Sequence, residues 1–149
     1  MKRRLGLALV IAAAIGGLAA GLIVGRGHSA NAAHRAKPGV VARGTFHAVT
    51  WNTTGTVSVV RQANGDLRLR LSSDFATKHA PELYLYLAKL SGQQKLYWKQ
   101  VAPLRSTRGG QVYAVSADAV SKPGLEVAIY CGECNQINAL APLAPVTQS

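Results

Sequence analysis

After residue 43, apolar and polar residues alternate in short runs. In GDLRLRL, Leu67, Leu69 and Leu71 share one side and Arg68 and Arg70 the other. In PELYLYLA, Leu83, Leu85 and Leu87 oppose Tyr84 and Tyr86. In GLEVAIYC, Leu125, Val127 and Ile129 line up, and Cys131 continues that side. GTVSV places Val57 with Val59, and GTFHAVTW, KLYWKQV and GQVYAVS are further candidates. A period of two is the pattern of strands buried on one face. Turn formers separate the runs: Asn64-Gly65-Asp66, Gly109-Gly110 and Lys122-Pro123-Gly124. QANGDL reads as a hairpin turn. No helical stripe of ten residues or more follows Arg43. The expected fold is all-β, an antiparallel β-sandwich or barrel of about seven or eight short strands.

The N-terminus has a different texture. Lys2, Arg3 and Arg4 precede an uncharged apolar run over 5–25 that ends at Arg26. As a helix rising about 1.5 Å per residue, that run reaches roughly 31 Å, the thickness of a bilayer core. Secretory signals carry shorter apolar cores, of about 7–15 residues. Residues 1–26 therefore read as a single-pass membrane anchor with the C-terminal domain outside the cytoplasm. The alternative is a signal peptide cleaved near Ala32, after Ala30-Asn31-Ala32, which would release the domain. Basic residues flank the run evenly, so the orientation rests on the short N-terminal tail staying inside. Gly17, Gly21 and Gly25, with Ala13, form a small-residue stripe that would allow a homodimer through the anchor helix. Glycine and alanine are so frequent there that chance spacing is the competing reading. Residues 27–43 read as a flexible linker containing His28 and His34, 44–144 as the β domain, and 145–149 as a tail.

Location changes what the charge means. The chain carries +11 overall. Without Lys2, Arg3, Arg4 and Arg26, thirteen basic residues face six acidic ones, and they are scattered. Nucleic-acid binding asks for a clustered basic patch with stacking aromatics, so it is not expected. Attraction to the membrane surface or to an acidic cell-surface polymer is the simpler consequence. Asn52-Thr53-Thr54 fits a glycosylation acceptor. No Ser-His-Asp order or paired-carboxylate cluster points to a stand-alone enzyme. Asp74 and Glu82 read as a turn residue and a strand-edge charge.

Four segments, in order, resemble the DM-thirteen domain family. The first is GTFHAVTWNTTGTVSVV, with Gly44, Phe46, Thr54 and Gly55. The second is LRLRLSSDFATKHAPELYLYLA, with Asp74, Phe75, Pro81, Leu83, Tyr86 and Leu87. Ala80 stands where the family usually has Gly, and Glu82 where it has Asp. The third is PLRSTRGGQVYAV, with Leu104, Gly109, Gln111 and Tyr113. The last is VAIYCGECNQINALAPL, with Cys131, Ala141 and Leu143. The resemblance covers residues 43–143. It implies a small all-β domain of the electron-transfer type, found in bacterial membrane-anchored proteins and in animal Skeletor proteins. It also implies a redox role centred on one cysteine, here Cys131, as a bare thiol or as a ligand to a group such as haem. Cys134 is an addition to that pattern.

The two cysteines, Cys131 and Cys134, are the only ones in the chain. Attachment of c-type haem needs C-x-x-C-H, and Asn135 follows instead. Axial haem ligation by Cys131 stays open, with His47 or His79 as a second ligand; methionine is excluded, because Met1 is the only one. Each histidine reads first as a surface residue. No metal site is expected, since no His pair stands at ligand spacing. Thioredoxin chemistry needs a βαβ setting that the sequence lacks. An oxidising compartment favours a Cys131–Cys134 disulfide. Closing so small a loop stabilises by only about 2 kcal/mol on the chain-entropy formula. Gly132 would supply the freedom of the turn, while Glu133 would raise a neighbouring thiol pKa. Two functions remain open. One is a redox pair of Cys131 with Cys134 as resolving partner, serving an unidentified redox partner. The other is a non-catalytic binding or structural module at the cell surface, with the disulfide as a static clip.

Overall fold

The computed structural model describes residues 37–147. The proposed anchor, its Gly17, Gly21 and Gly25 stripe, the Ala32 cleavage site and the start of the linker lie outside the described residues. Among the described residues, no helix is long and apolar enough to cross a membrane.

The described residues form twelve strands and one short helix. They are β1 (Gly39–Thr45), β2 (His47–Ala48), β3 (Thr53–Thr54), β4 (Thr56–Arg61), β5 (Leu67–Leu71), β6 (Ala76–Thr77), β7 (Leu83–Ser91), β8 (Gln94–Pro103), β9 (Gln111–Val115), α1 (Ala117–Val120), β10 (Glu126–Cys131), β11 (Gln136–Pro142) and β12 (Ala144–Pro145). One five-stranded sheet runs β12-β1-β4-β5-β9, the other β2-β11-β10-β7-β8, and β3 pairs β6 separately. Every pairing is antiparallel. The architecture is a sandwich of two open sheets, not a closed barrel. The count exceeds the seven or eight strands expected because β2, β3, β6 and β12 have two residues each, too few to show a period.

The alternating runs bury the sides the sequence assigns to the core. Leu67, Leu69 and Leu71 point inward from β5; Leu83, Leu85 and Leu87 do so from β7. Val127, Ile129 and Cys131 follow from β10. Each fully buried leucine or isoleucine contributes about 1.5–3 kcal/mol. Phe46 and Phe75 meet between the sheets with ring centroids 5.5 Å apart.

Phe46 also marks a corner. The chain leaves β1 in one sheet, turns at Phe46 and enters β2 in the other. Leu143 does the same between β11 and β12. The two corners lie together, and a side chain on Gly44 would collide with the Pro142 carbonyl. Gly39–Arg43, read as the end of the linker, form most of β1 and pair with β4. Pro145, read as tail, pairs with Ala42. Neither segment alternates, so only the pairing partner reveals them as strands.

Candidate functional site

Strand β10 ends at Cys131, which pairs across to Leu83 on β7 and to Gln136 on β11. The chain turns through Gly132–Asn135 and returns as β11. Cys131 and Cys134 lie 5.2 Å apart at Cα, well inside the 7 Å that defines a β-turn. They are joined by a disulfide. Backbone bonds hold the same turn independently. Gly132 N–H donates to the Glu82 carbonyl at 2.9 Å, and Asn135 N–H to the Gly132 carbonyl at 3.2 Å. The Tyr130 hydroxyl donates to Asn135 Oδ1 at 2.6 Å. Asn135 takes the left-handed conformation, with φ 50°, which asparagine tolerates better than most residues.

The two sulfurs have different surroundings. Cys131 is 0% exposed, because it continues the inward side of β10. Cys134 is exposed. The Cys134 N–H donates to Cys131 Sγ at 3.0 Å. The Pro81 carbonyl oxygen lies 3.7 Å from the same sulfur. A disulfide sulfur carries no proton, so this is a contact in the oxidised protein. A Cys131 thiol would be placed to donate to it.

Gly132 serves a purpose other than turn freedom, since its φ is not positive. A Cβ there would come within 3.0 Å of Glu82 Oε2 and Tyr84 Cε2. The turn therefore rests flat against Glu82 and Tyr84. Glu82 itself holds φ 53°, a conformation that costs a non-glycine residue about 1–2 kcal/mol. The Asp usual in the resembling family would adopt it more readily. Glu82 and Tyr84 also line a groove of about 550 Å³ with His79, Arg105 and Thr107.

Outward from the turn, the face of the β2-β11-β10-β7-β8 sheet carries an aromatic group that the sequence left divided among three strands. Tyr86 on β7 stacks on Trp98 of β8 at 4.5 Å between centroids. Tyr130 of β10 meets both edge-on at 5.5 Å. Lys95 Nζ lies 4.3 Å from the Trp98 centroid and 5.1 Å from that of Tyr130. Ala88 and Ala128 face outward by parity yet are fully buried, since the rings beside them cover small residues. The group braces the end of β10 through Tyr130.

Haem ligation fits these residues poorly. The Cys131 sulfur is buried at the strand end and already bonded to Cys134. His47 is exposed on β2 and pairs with Leu140, two strands away from β10. His79 is exposed in the loop before β7. The groove that His79 lines does not include Cys131 or His47. Among the described residues, no three His, Cys, Asp or Glu side chains gather as a metal site would need.

The family model described as Electron transfer DM13 matches residues 45–143. The chain belongs to the DM13 family. No curated protein and no solved structure matches it. In this DM13 domain the family-like residues have physical tasks. Gly44 and Phe46 make the sheet-crossing corner. Gly55, at φ 97°, passes so close to Phe75 that a Cβ would lie 2.7 Å from its Cα. Gln111 and Tyr113 pin the loop between β8 and β9. Gln111 Oε1 accepts from the Tyr113 hydroxyl at 2.6 Å and from Ser106 N–H at 3.1 Å. Gln111 Nε2 donates to the Ser106 carbonyl at 2.9 Å. The Tyr113 hydroxyl in turn accepts from Arg105 N–H at 3.1 Å. Ala141 packs in the core and Leu143 turns the second corner.

Proposed function

We propose that this DM13 protein is a membrane-anchored, extracytoplasmic electron-transfer module whose Cys131–Cys134 bond opens and closes by thiol–disulfide exchange. One observation carries the reading. The disulfide spans a turn that the hairpin and its hydrogen bonds already hold, and one of its two residues, Cys134, is exposed. Opening such a bond leaves the fold in place and surrenders only about 2 kcal/mol of loop closure. Family membership supports the electron-transfer class, and the apolar run over 5–25 supports the anchor. Two anchors would meet along Gly17, Gly21 and Gly25.

The test uses the full-length protein in detergent. Stoichiometric dithiothreitol followed by thiol counting should yield two thiols without loss of the β-sheet circular dichroism signal. Adding oxidised glutathione should then restore the bond. Failure to reduce short of unfolding would return the pair to the second reading, a structural clip in a cell-surface binding module. The complete burial of Cys131 is the observation that favours that reading.

A further inference from the structure

We infer that exchange at this site runs through Cys134, with Cys131 as the leaving and resolving sulfur. The inference rests on the redox reading above. It reverses the order that the family position of Cys131 suggests.

Access decides first. A thiolate reaches a disulfide sulfur from the side opposite its partner and forms a mixed disulfide. Cys131 Sγ belongs to a residue sealed in the core, behind Leu83 and Pro81. Cys134 stands on the exposed turn with Glu133 and Asn135, both exposed as well. Only Cys134 can receive an incoming thiol without disturbing the sandwich.

The leaving sulfur is also provided for. When a partner thiolate attacks Cys134 Sγ, a bond forms between the partner sulfur and Cys134 Sγ. The Cys131–Cys134 bond breaks, and its electron pair leaves on Cys131 Sγ. The Cys134 N–H already donates to that sulfur at 3.0 Å, which offsets part of the cost of a buried charge. A proton from solvent then gives the neutral thiol, and the Pro81 carbonyl, 3.7 Å away, accepts its hydrogen bond. A second partner thiolate then attacks the partner sulfur of the mixed disulfide, so that Cys134 leaves as thiolate and the two partner sulfurs depart joined as a disulfide. In the return direction the Cys134 thiolate attacks a partner disulfide, one partner sulfur leaves as thiolate, and Cys131 loses its proton and attacks Cys134 Sγ. The disulfide re-forms and the partner leaves as thiolate. The co-reactant is a thiol, whether small or borne on a protein. The turn holds Cys131 at bonding distance throughout, because backbone bonds to Glu82 and within the turn persist.

The experiment reads which sulfur reacts. The reduced full-length protein is treated with limiting iodoacetamide under native conditions, and the labelled peptide is resolved at each cysteine by fragment mass. Cys134 should carry more than about tenfold the label of Cys131, because access and thiolate character control the rate. In urea the preference should vanish. Equal labelling in the folded protein, or preference for Cys131, overturns the assignment. Two variants separate this result from the redox reading. Cys131→Ser leaves Cys134 alone and should form a mixed disulfide with glutathione disulfide. Cys134→Ser leaves Cys131 alone and should resist it until unfolded. Both hold without the native bond ever opening, so a static disulfide would sink the redox reading while the ranking of the sulfurs is still measured. A Cys134→Ser protein that reacts as fast as Cys131→Ser in native buffer contradicts the inference.

Discussion

Two connections close the same end of the β2-β11-β10-β7-β8 sheet by opposite means. The loop between β8 and β9, residues 104–110, is tied by the non-covalent Gln111–Tyr113 network. The turn between β10 and β11 carries the one covalent cross-link of the described residues. The network is interior: Gln111 is 8% exposed and Tyr113 2%. The cross-link reaches the surface at Cys134. The stronger bond thus stands where the fold needs it less. Removing the buried acceptor Gln111 Oε1 strands two donors at once, whereas opening the disulfide leaves a turn still held by the hairpin. That difference is what the proposed redox role rests on.

The largest effect should come from the loop network. Gln111→Ala deprives the Tyr113 hydroxyl and the Ser106 backbone of their partners, and chemical denaturation should show a loss of about 2–3 kcal/mol. A loss below that of the double cysteine variant would break the comparison. Replacing Cys131 by Ala together with Cys134 by Ser should cost about 2 kcal/mol, chiefly loop-closure entropy, with the sheet spectrum unchanged. A protein that no longer folds would mark the disulfide as structural.

A third turn calibrates the second. The β4–β5 hairpin carries no cross-link. Gly65 N–H donates to the Gln62 carbonyl, and Asn64 Oδ1 accepts from Asp66 N–H at 3.1 Å. Gly65 holds φ 92°. Gly65→Ala should cost about 1 kcal/mol through strain alone, since nothing lies within 4 Å of its Cβ. A cost above that of losing the disulfide would mean that turn conformation outweighs the cross-link.

The smallest effect concerns Asn138, which is 0% exposed with both side-chain polar atoms unpaired. Replacement by Leu, of similar size, should be neutral or stabilising in a thermal melt, since an orphaned amide costs about 1–3 kcal/mol. A clear loss of stability would show that the amide has a role the fold depends on.

Much of this was legible from the residues. Period-two alternation gave β4, β5, β7, β9 and β10 because one face of each is core. It also placed Cys131 inward, as the next position after Val127 and Ile129. The turn at Asn64-Gly65 was readable from residues that favour its conformation. What escaped has a common cause. The aromatic group of Tyr86, Trp98 and Tyr130 depends on cross-strand register, which no single run contains. Asn138 is buried because the register shifts between Ile129 and Tyr130, so β11 carries an extra residue at that point. The role of Gly132 was misread because the constraint is a neighbour, Tyr84, that lies 48 positions earlier in the chain. The exposure of Cys134 follows from the direction in which the turn leaves the sheet.

The central claim is that the bond opens under biological thiol conditions while the sandwich stays folded. It is tested most directly by the midpoint potential of Cys131–Cys134. The full-length protein is equilibrated with graded thiol–disulfide buffers, and the reduced fraction is counted by alkylation. The account predicts a value between about −300 and −120 mV, the range of exchanging dithiols. A value below about −300 mV, that of structural disulfides, would contradict it.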